Sequence, residues 1–155
     1  MRSDTDFAGI GLPAAGSADA SASGDAVTGV TGVACHSCRR PDDSFDHPRP
    51  GTRLHASLVE AARGTGVEVR KIGCLGNCKR GLSAAILRDG CWSYVFGDLT
   101  EESAADLVAG ARLFGGSTDG FMPFRARPEA LKRGLIARIP LIEHLPPDDP
   151  TKDAE

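Results

Sequence analysis

Apolar and polar positions along the chain mark out a short series of regular segments. Val30–Ala34 is a brief apolar run that ends at Cys35, and it predicts a strand. Residues 39–51 carry Pro41, Pro48, Pro50 and Gly51, so this stretch reads as loop. From Thr52, in N-cap position, Leu54, Leu58, Ala61 and Ala62 recur on one helical face, and Gly64 ends the run. Val67–Ile72 reads as a second strand that delivers Cys74 just past its end. Strand, helix and strand in this order predict a parallel pair joined by a right-handed crossover.

A hairpin follows. Ser83–Leu87 and Trp92–Phe96 flank Asp89-Gly90, a favoured pair for a tight two-residue turn. Trp92, Tyr94 and Phe96 alternate, which places them on one face of a sheet as core. Asp98 or Thr100 then caps a helix bearing Ala104, Leu107, Val108, Ala111 and Phe114, and Gly115-Gly116 stops it. The order is an α/β one that resembles the thioredoxin-like layout, a strand-helix-strand crossover followed by a hairpin and a helix. Residues 27–116 form this domain. A C-terminal extension, 117–155, starts a short basic helix at Pro128 with Leu131, Leu135 and Ile136 on it. Its last part, 143–155, is acidic and Pro-rich and reads as frayed.

Composition narrows the class. Of residues 1–26, 19 are Ala, Gly, Ser or Asp. Such a tail cannot bury enough apolar surface to offset its ordering entropy, so disorder is expected there. Basic residues are almost absent from it, which argues against a targeting peptide. Met1-Arg2 runs into Ser3, Asp4, Thr5 and Asp6, with no apolar core of a signal sequence. No stretch approaches the roughly 20 apolar residues of a membrane helix. These features point to the cytoplasm, where paired thiols are more often metal-bound or redox-active than bridged. The net charge of −3 gives no reason to expect nucleic acid.

The chemistry sits in four cysteines. Cys35 and Cys38 read C-H-S-C, and Cys74 and Cys78 lie in G-C-L-G-N-C-K-R-G, with 35 residues (39 to 73) between the pairs. Two chelating thiolate pairs on two loops suit a metal. A 2Fe-2S cluster takes four thiolates, and so does zinc; spacing does not separate them. Gly73, Gly76 and Gly81 around the second pair let backbone N–H groups come close to sulfur. A third possibility is thiol–disulfide exchange at Cys35-His36-Ser37-Cys38. That chemistry wants a helix N-terminus at the pair to lower the thiol pKa, and here the helix starts only near Thr52. No paired catalytic carboxylates, phosphate loop or nucleophile–base pattern is present, so a carrier or binding protein is expected rather than an enzyme.

The fifth cysteine, Cys91, opens the strand after the turn and reads as a packed free thiol. His36 lies between ligands that already fill a site, and His47, His55 and His144 show no partner spacing. Arg39, Arg40, Lys71, Lys79 and Arg80 crowd the cysteines. Arg39, Arg40, Lys79 and Arg80 are candidates for docking an acidic redox partner, while Arg125, Arg127, Lys132, Arg133 and Arg138 read as a solvated basic face.

The motif C-L-G-N-C-K-R-G after a strand resembles the second cysteine motif of the thioredoxin-like 2Fe-2S ferredoxins and of the related cluster subunit of NADH:quinone oxidoreductase. The first pair is closer together here than in those proteins. C-H-S-C-R-R, C-L-G-N-C-K-R-G, W-S-Y-V-F-G-D-L and R-P-E-A-L-K-R-G-L-I-A-R-I-P, spanning Val30 to Pro140, are similar to a family of bacterial proteins described as predicted metal-binding and ferredoxin-like. The resemblance implies a 2Fe-2S cluster with Cys35 and Cys38 on one iron and Cys74 and Cys78 on the other. It implies one-electron transfer to a protein partner, with cobalamin biosynthesis as the associated pathway.

Overall fold

Val30–Cys35 (β1) is flanked by strands of opposite sense. The computed structural model describes residues 26–148. The tail expected to be disordered and the end of the acidic terminus expected to be frayed lie outside the described residues. On one side β1 pairs in parallel with Glu68–Ile72 (β2), and on the other it pairs antiparallel with Ala84–Arg88 (β3). Ser93–Phe96 (β4) runs antiparallel to β3, Leu135–Ile139 (β5) runs antiparallel to β4, and the sheet reads β2-β1-β3-β4-β5. Helix α1 (Pro50–Ala61) connects the parallel pair, and helix α2 (Ala104–Gly115) follows the hairpin. The two helices pack on β1 and on each other. This is the thioredoxin-like α/β layout, with one strand added.

The core lies between these helices and the sheet. Leu54 and Leu58 of α1 and Leu107, Ala111 and Phe114 of α2 are buried against Val30, Ala34, Ile86, Tyr94 and Phe96. Tyr94 meets Phe114 edge-on at 5.2 Å between ring centroids, a favoured aromatic geometry. Trp92, expected on the same core face, is half-buried and leans on Phe121 instead.

Helix α1 begins earlier than expected. Pro50 occupies its first turn, where a missing N–H costs nothing. Thr52 therefore lies inside the helix, and its hydroxyl donates to the His36 carbonyl at 3.0 Å. At the hairpin, Cys91 N–H donates to the Arg88 carbonyl at 3.1 Å around Asp89-Gly90, while regular pairing resumes only at Ile86 opposite Tyr94. Before α2, Thr100 N–H donates to the Ser103 hydroxyl at 3.0 Å, so Thr100 rather than Asp98 begins the helical run.

The C-terminal extension departs most from expectation. Helix α3 is only Glu129–Arg133, and Leu135 and Ile136 belong to a strand, Leu135–Ile139 (β5), paired antiparallel with β4. Leu131, Leu135 and Ile136 are spaced for a helix, but Gly134 breaks the run. Gly97 N–H donates to the Gly134 carbonyl at 2.8 Å. Ladder bonds to β4, which would otherwise be a bare edge, outweigh the local helical pattern.

Candidate metal centre

Both cysteine loops leave the sheet at one end. Cys35 is the last residue of β1, and Cys74 follows the neighbouring parallel strand β2. Parallel strands finish at the same end, which explains why sequence positions 39 apart in number become neighbours. His36 N–H donates to the Ile72 carbonyl at 3.0 Å. Cys35 Sγ donates to the Gly73 carbonyl at 3.5 Å, and the Ser37 hydroxyl donates to the same oxygen.

The first pair is built into the protein. Cys35 and Cys38 are 1% and 6% exposed. Cys38 N–H donates to the Cys35 carbonyl at 3.3 Å, and Gly51 N–H donates to the Cys38 carbonyl at 2.9 Å. A side chain at Gly51 would run into the Cys35 carbonyl and lie 3.0 Å from Cys38 N and O, so only glycine lets α1 start this close. Burial, and then the neighbouring Cys35, push the Cys38 thiol up to about 12.

The second pair is open to solvent. Cys74 Sγ and Cys78 Sγ stand 3.8 Å apart, both exposed. Gly76, at φ 76°, turns its N–H onto Cys74 Sγ at 3.2 Å. That bond, followed by the Cys78 thiol, lowers the Cys74 pKa; Cys74 in turn raises that of Cys78. Asn77 anchors the loop, donating Nδ2 to the Ser83 hydroxyl at 3.0 Å and to the Arg80 carbonyl at 3.2 Å. Leu75 packs on the core.

Among the described residues, no group of three or more His, Cys, Asp or Glu side chains gathers around one point as a single-ion site. The thiols stand as two pairs, with Cys35 between them: it neighbours Cys38 and also acts on Cys74. Cys38 and Cys78, one from each pair, line the same cavity of about 310 Å³. The helix nearest Cys35-Cys38 in sequence begins at Pro50. The first turn of α1 packs against this pair through Gly51, yet the Cys38 thiol is raised rather than lowered, the reverse of what thiol–disulfide exchange wants.

The structure divides the basic residues near the site. Arg39 and Arg40 line the cavity with Cys38. Arg80 is paired with Asp98 at 2.6 Å. Lys79 is exposed beside Cys78 and makes no ion pair among the described residues. Arg49 and Phe45 are functional candidates that the sequence reading passed over. Arg49 lines the same cavity and donates to the Ser37 carbonyl at 3.1 Å. Phe45 is 75% exposed under the Arg39 guanidinium, 3.7 Å from its ring centroid. An exposed aromatic in a Pro-rich loop was the available signal. Cys91 lies at the other end of β3, half-buried beside the loop at Gly120, away from the quartet.

No helix among the described residues is long and apolar enough to cross a membrane. Residues 33–141 match the model of a family described as "Protein of unknown function (DUF1636)". Among solved structures, the wild-type thioredoxin-like [2Fe-2S] ferredoxin from Aquifex aeolicus is similar at 17% identity, covering 70% of this chain and 96% of its own, with a TM-score of 0.44. A second structure of a thioredoxin-like [2Fe-2S] ferredoxin from Aquifex aeolicus aligns at 15% identity over 77% of this chain and 96% of its own, again with a TM-score of 0.44. No curated protein matches the chain.

Proposed function

The chain belongs to the DUF1636 family, and from its cysteine arrangement we propose that it is a 2Fe-2S protein that carries one electron at a time. The observation that carries this reading is the pairing of the thiols. Two thiolates on one tetrahedral metal, each at about 2.3 Å, lie about 3.8 Å apart. Cys74 and Cys78 already hold that spacing, at 3.8 Å. Two pairs suit a two-iron centre, whereas a single zinc needs four donors on one point.

In this reading Cys35 and Cys38 hold one iron and Cys74 and Cys78 the other. When bound, the cluster supplies a one-electron couple. The chain's residues tune and expose it. Gly76 N–H draws electron density from Cys74 Sγ, which favours the reduced form. Arg39 and Arg40 act in the same direction through charge. The buried first pair keeps water from one side, and the exposed second pair gives the electron a short path out. No side chain is assigned a catalytic role. We place the protein in the cytoplasm, with an acidic redox partner steered by Arg39, Arg40, Lys79 and Arg80. The resemblance to a family associated with cobalamin biosynthesis offers that pathway as the place to look for it.

Protein purified without oxygen tests this. Visible absorption with iron and acid-labile sulfide in equal amounts is expected. Stoichiometric zinc without visible absorption would overturn it and leave a zinc-binding structural or metal-handling module.

A further inference from the structure

The loop from residue 39 to residue 49 has three arginines and three aspartates, so it is neutral in sum. Folding sorts these charges. Arg39, Arg40 and Arg49 all line the cavity that opens onto Cys38 and Cys78, and no carboxylate lines it. Asp43 accepts from the Arg40 backbone N–H at 2.6 Å and pairs with Arg40 Nε at 3.4 Å, and Asp46 accepts from the Ser44 hydroxyl at 2.5 Å. The arginines are only partly engaged. Arg49 uses Nη1 on the Ser37 carbonyl, and Arg39 uses Nη1 on the Asp43 carbonyl at 3.4 Å. Guanidinium has five N–H donors, so each keeps several to offer.

We propose that this cavity is the docking pocket for a partner protein, and that it receives one carboxylate side chain of that partner beside the cysteine quartet. The proposal rests on the electron-carrier reading above and names how the partner is held. Guanidinium groups grip carboxylates through two parallel hydrogen bonds, which suits the donors left free here. A volume of about 310 Å³ has room for a side chain. The rim favours a protein over a free small anion. Phe45 stands out from the surface stacked with Arg39, and aromatic residues with Arg are the types enriched at protein interfaces. The docking set is thus Arg39, Arg49 and Phe45, with Arg40 held on one side by Asp43. Arg80 is occupied by Asp98.

The probe is a dye-labelled hexaglutamate peptide, followed by fluorescence anisotropy on the full chain at several salt concentrations. Wild type binds, and binding weakens as salt rises. Arg39→Gln with Arg49→Gln weakens it on the order of tenfold, the effect of losing one charged hydrogen bond. Arg63→Gln with Arg133→Gln removes the same charge from exposed pairs elsewhere and leaves binding unchanged. Phe45→Ala weakens it several-fold. Because Arg49 also braces Ser37, Arg39→Gln with Arg40→Gln is run beside it, and thermal melting checks both folds. Equal losses in the pocket and control variants would reduce the effect to net charge and overturn the proposal. Free glutarate displacing the peptide at equal carboxylate concentration would make this a small-anion site and overturn the partner assignment. Iron and sulfide are assayed in the same samples. Cluster present with no peptide binding rejects the pocket alone; peptide binding without iron rejects the carrier reading alone.

Discussion

The guanidinium of Arg127 lies over the ring of Tyr94, 5.4 Å from its centroid, and the two residues meet again at Met122. Arg127 donates to the Met122 carbonyl at 2.8 Å, and Met122 N–H donates to the Tyr94 hydroxyl at 2.9 Å. Arg127 is only 5% exposed, and its Nε has no partner among the described residues. This knot ties the segment before β5 to the core. It was read from sequence as part of a solvated basic face, which the burial corrects.

Arg127→Ala should destabilise the protein by about 2–4 kcal/mol, through a lost charged hydrogen bond and lost packing. Arg127→Met should be as stable as wild type or more so, because a buried charge with an unmet donor is replaced by apolar volume. Urea denaturation of both variants decides; a methionine variant as weak as the alanine one would show that the charge itself holds the knot.

Cys74→Ser should abolish metal binding by the second pair and bleach the protein, while Cys91→Ser should leave its spectrum intact. Cys74 sits 3.8 Å from Cys78, and Cys91 lies at the far end of the hairpin. Visible absorption and iron content of the two variants are compared; full bleaching by Cys91→Ser would show the ligand set to be wrong.

Gly76→Ala tests the N–H bond to Cys74. At φ 76° a side chain costs roughly 1–2 kcal/mol, and relaxing that strain moves the N–H off sulfur. Metal affinity should fall about 10–100-fold, as for other lost partners of a ligand. Competition with a chelator measures it, and the metal-free protein should lose less stability than affinity.

The metal-free protein should lose stability in alkali. The Cys38 thiol is pushed from 9.0 up to about 12 by burial, so the folded state holds its proton where the unfolded state has released it. This contribution is fully present below pH 9 and is lost as pH rises from 9 towards 12. Cys78, also raised, adds to the loss. Cys74 is lowered and acts the other way, at lower pH. Melting temperature against pH should fall over this window, and Cys38→Ala should flatten the decline.

The crossover, the hairpin and both long helices were legible because their apolar spacing matches what packs. Leu54 and Leu58, or Leu107 and Phe114, keep one face in sequence and in space. The cysteine quartet was legible for a different reason: parallel strands must finish together, so Cys35 and Cys74 had to meet. β5 was not legible, because Leu135 and Ile136 continue the helical spacing of Leu131 and only pairing with β4 contradicts it. The sorting of arginines from aspartates in residues 39–49 leaves no trace in a neutral stretch of sequence. Likewise nothing in the order of residues distinguishes the buried Arg127 from the exposed Arg125.

β2 holds the exposed thiol pair, yet it contributes almost nothing to the hydrophobic interior: four of its five residues are exposed and the fifth is half-buried. It is an edge strand, held by its bonds to β1 and by Val69 packed against the core. It can therefore peel away at a free energy well below that of global unfolding, taking half of the ligand set with it. Anything that bridges Cys35 and Cys38 to Cys74 and Cys78 closes that opening, and the opening weakens its binding by the same measure. Amide hydrogens of Arg70 and Ile72, which face β1, would report this directly, exchanging early in the metal-free chain and as slowly as those of β3 once the two loops are joined.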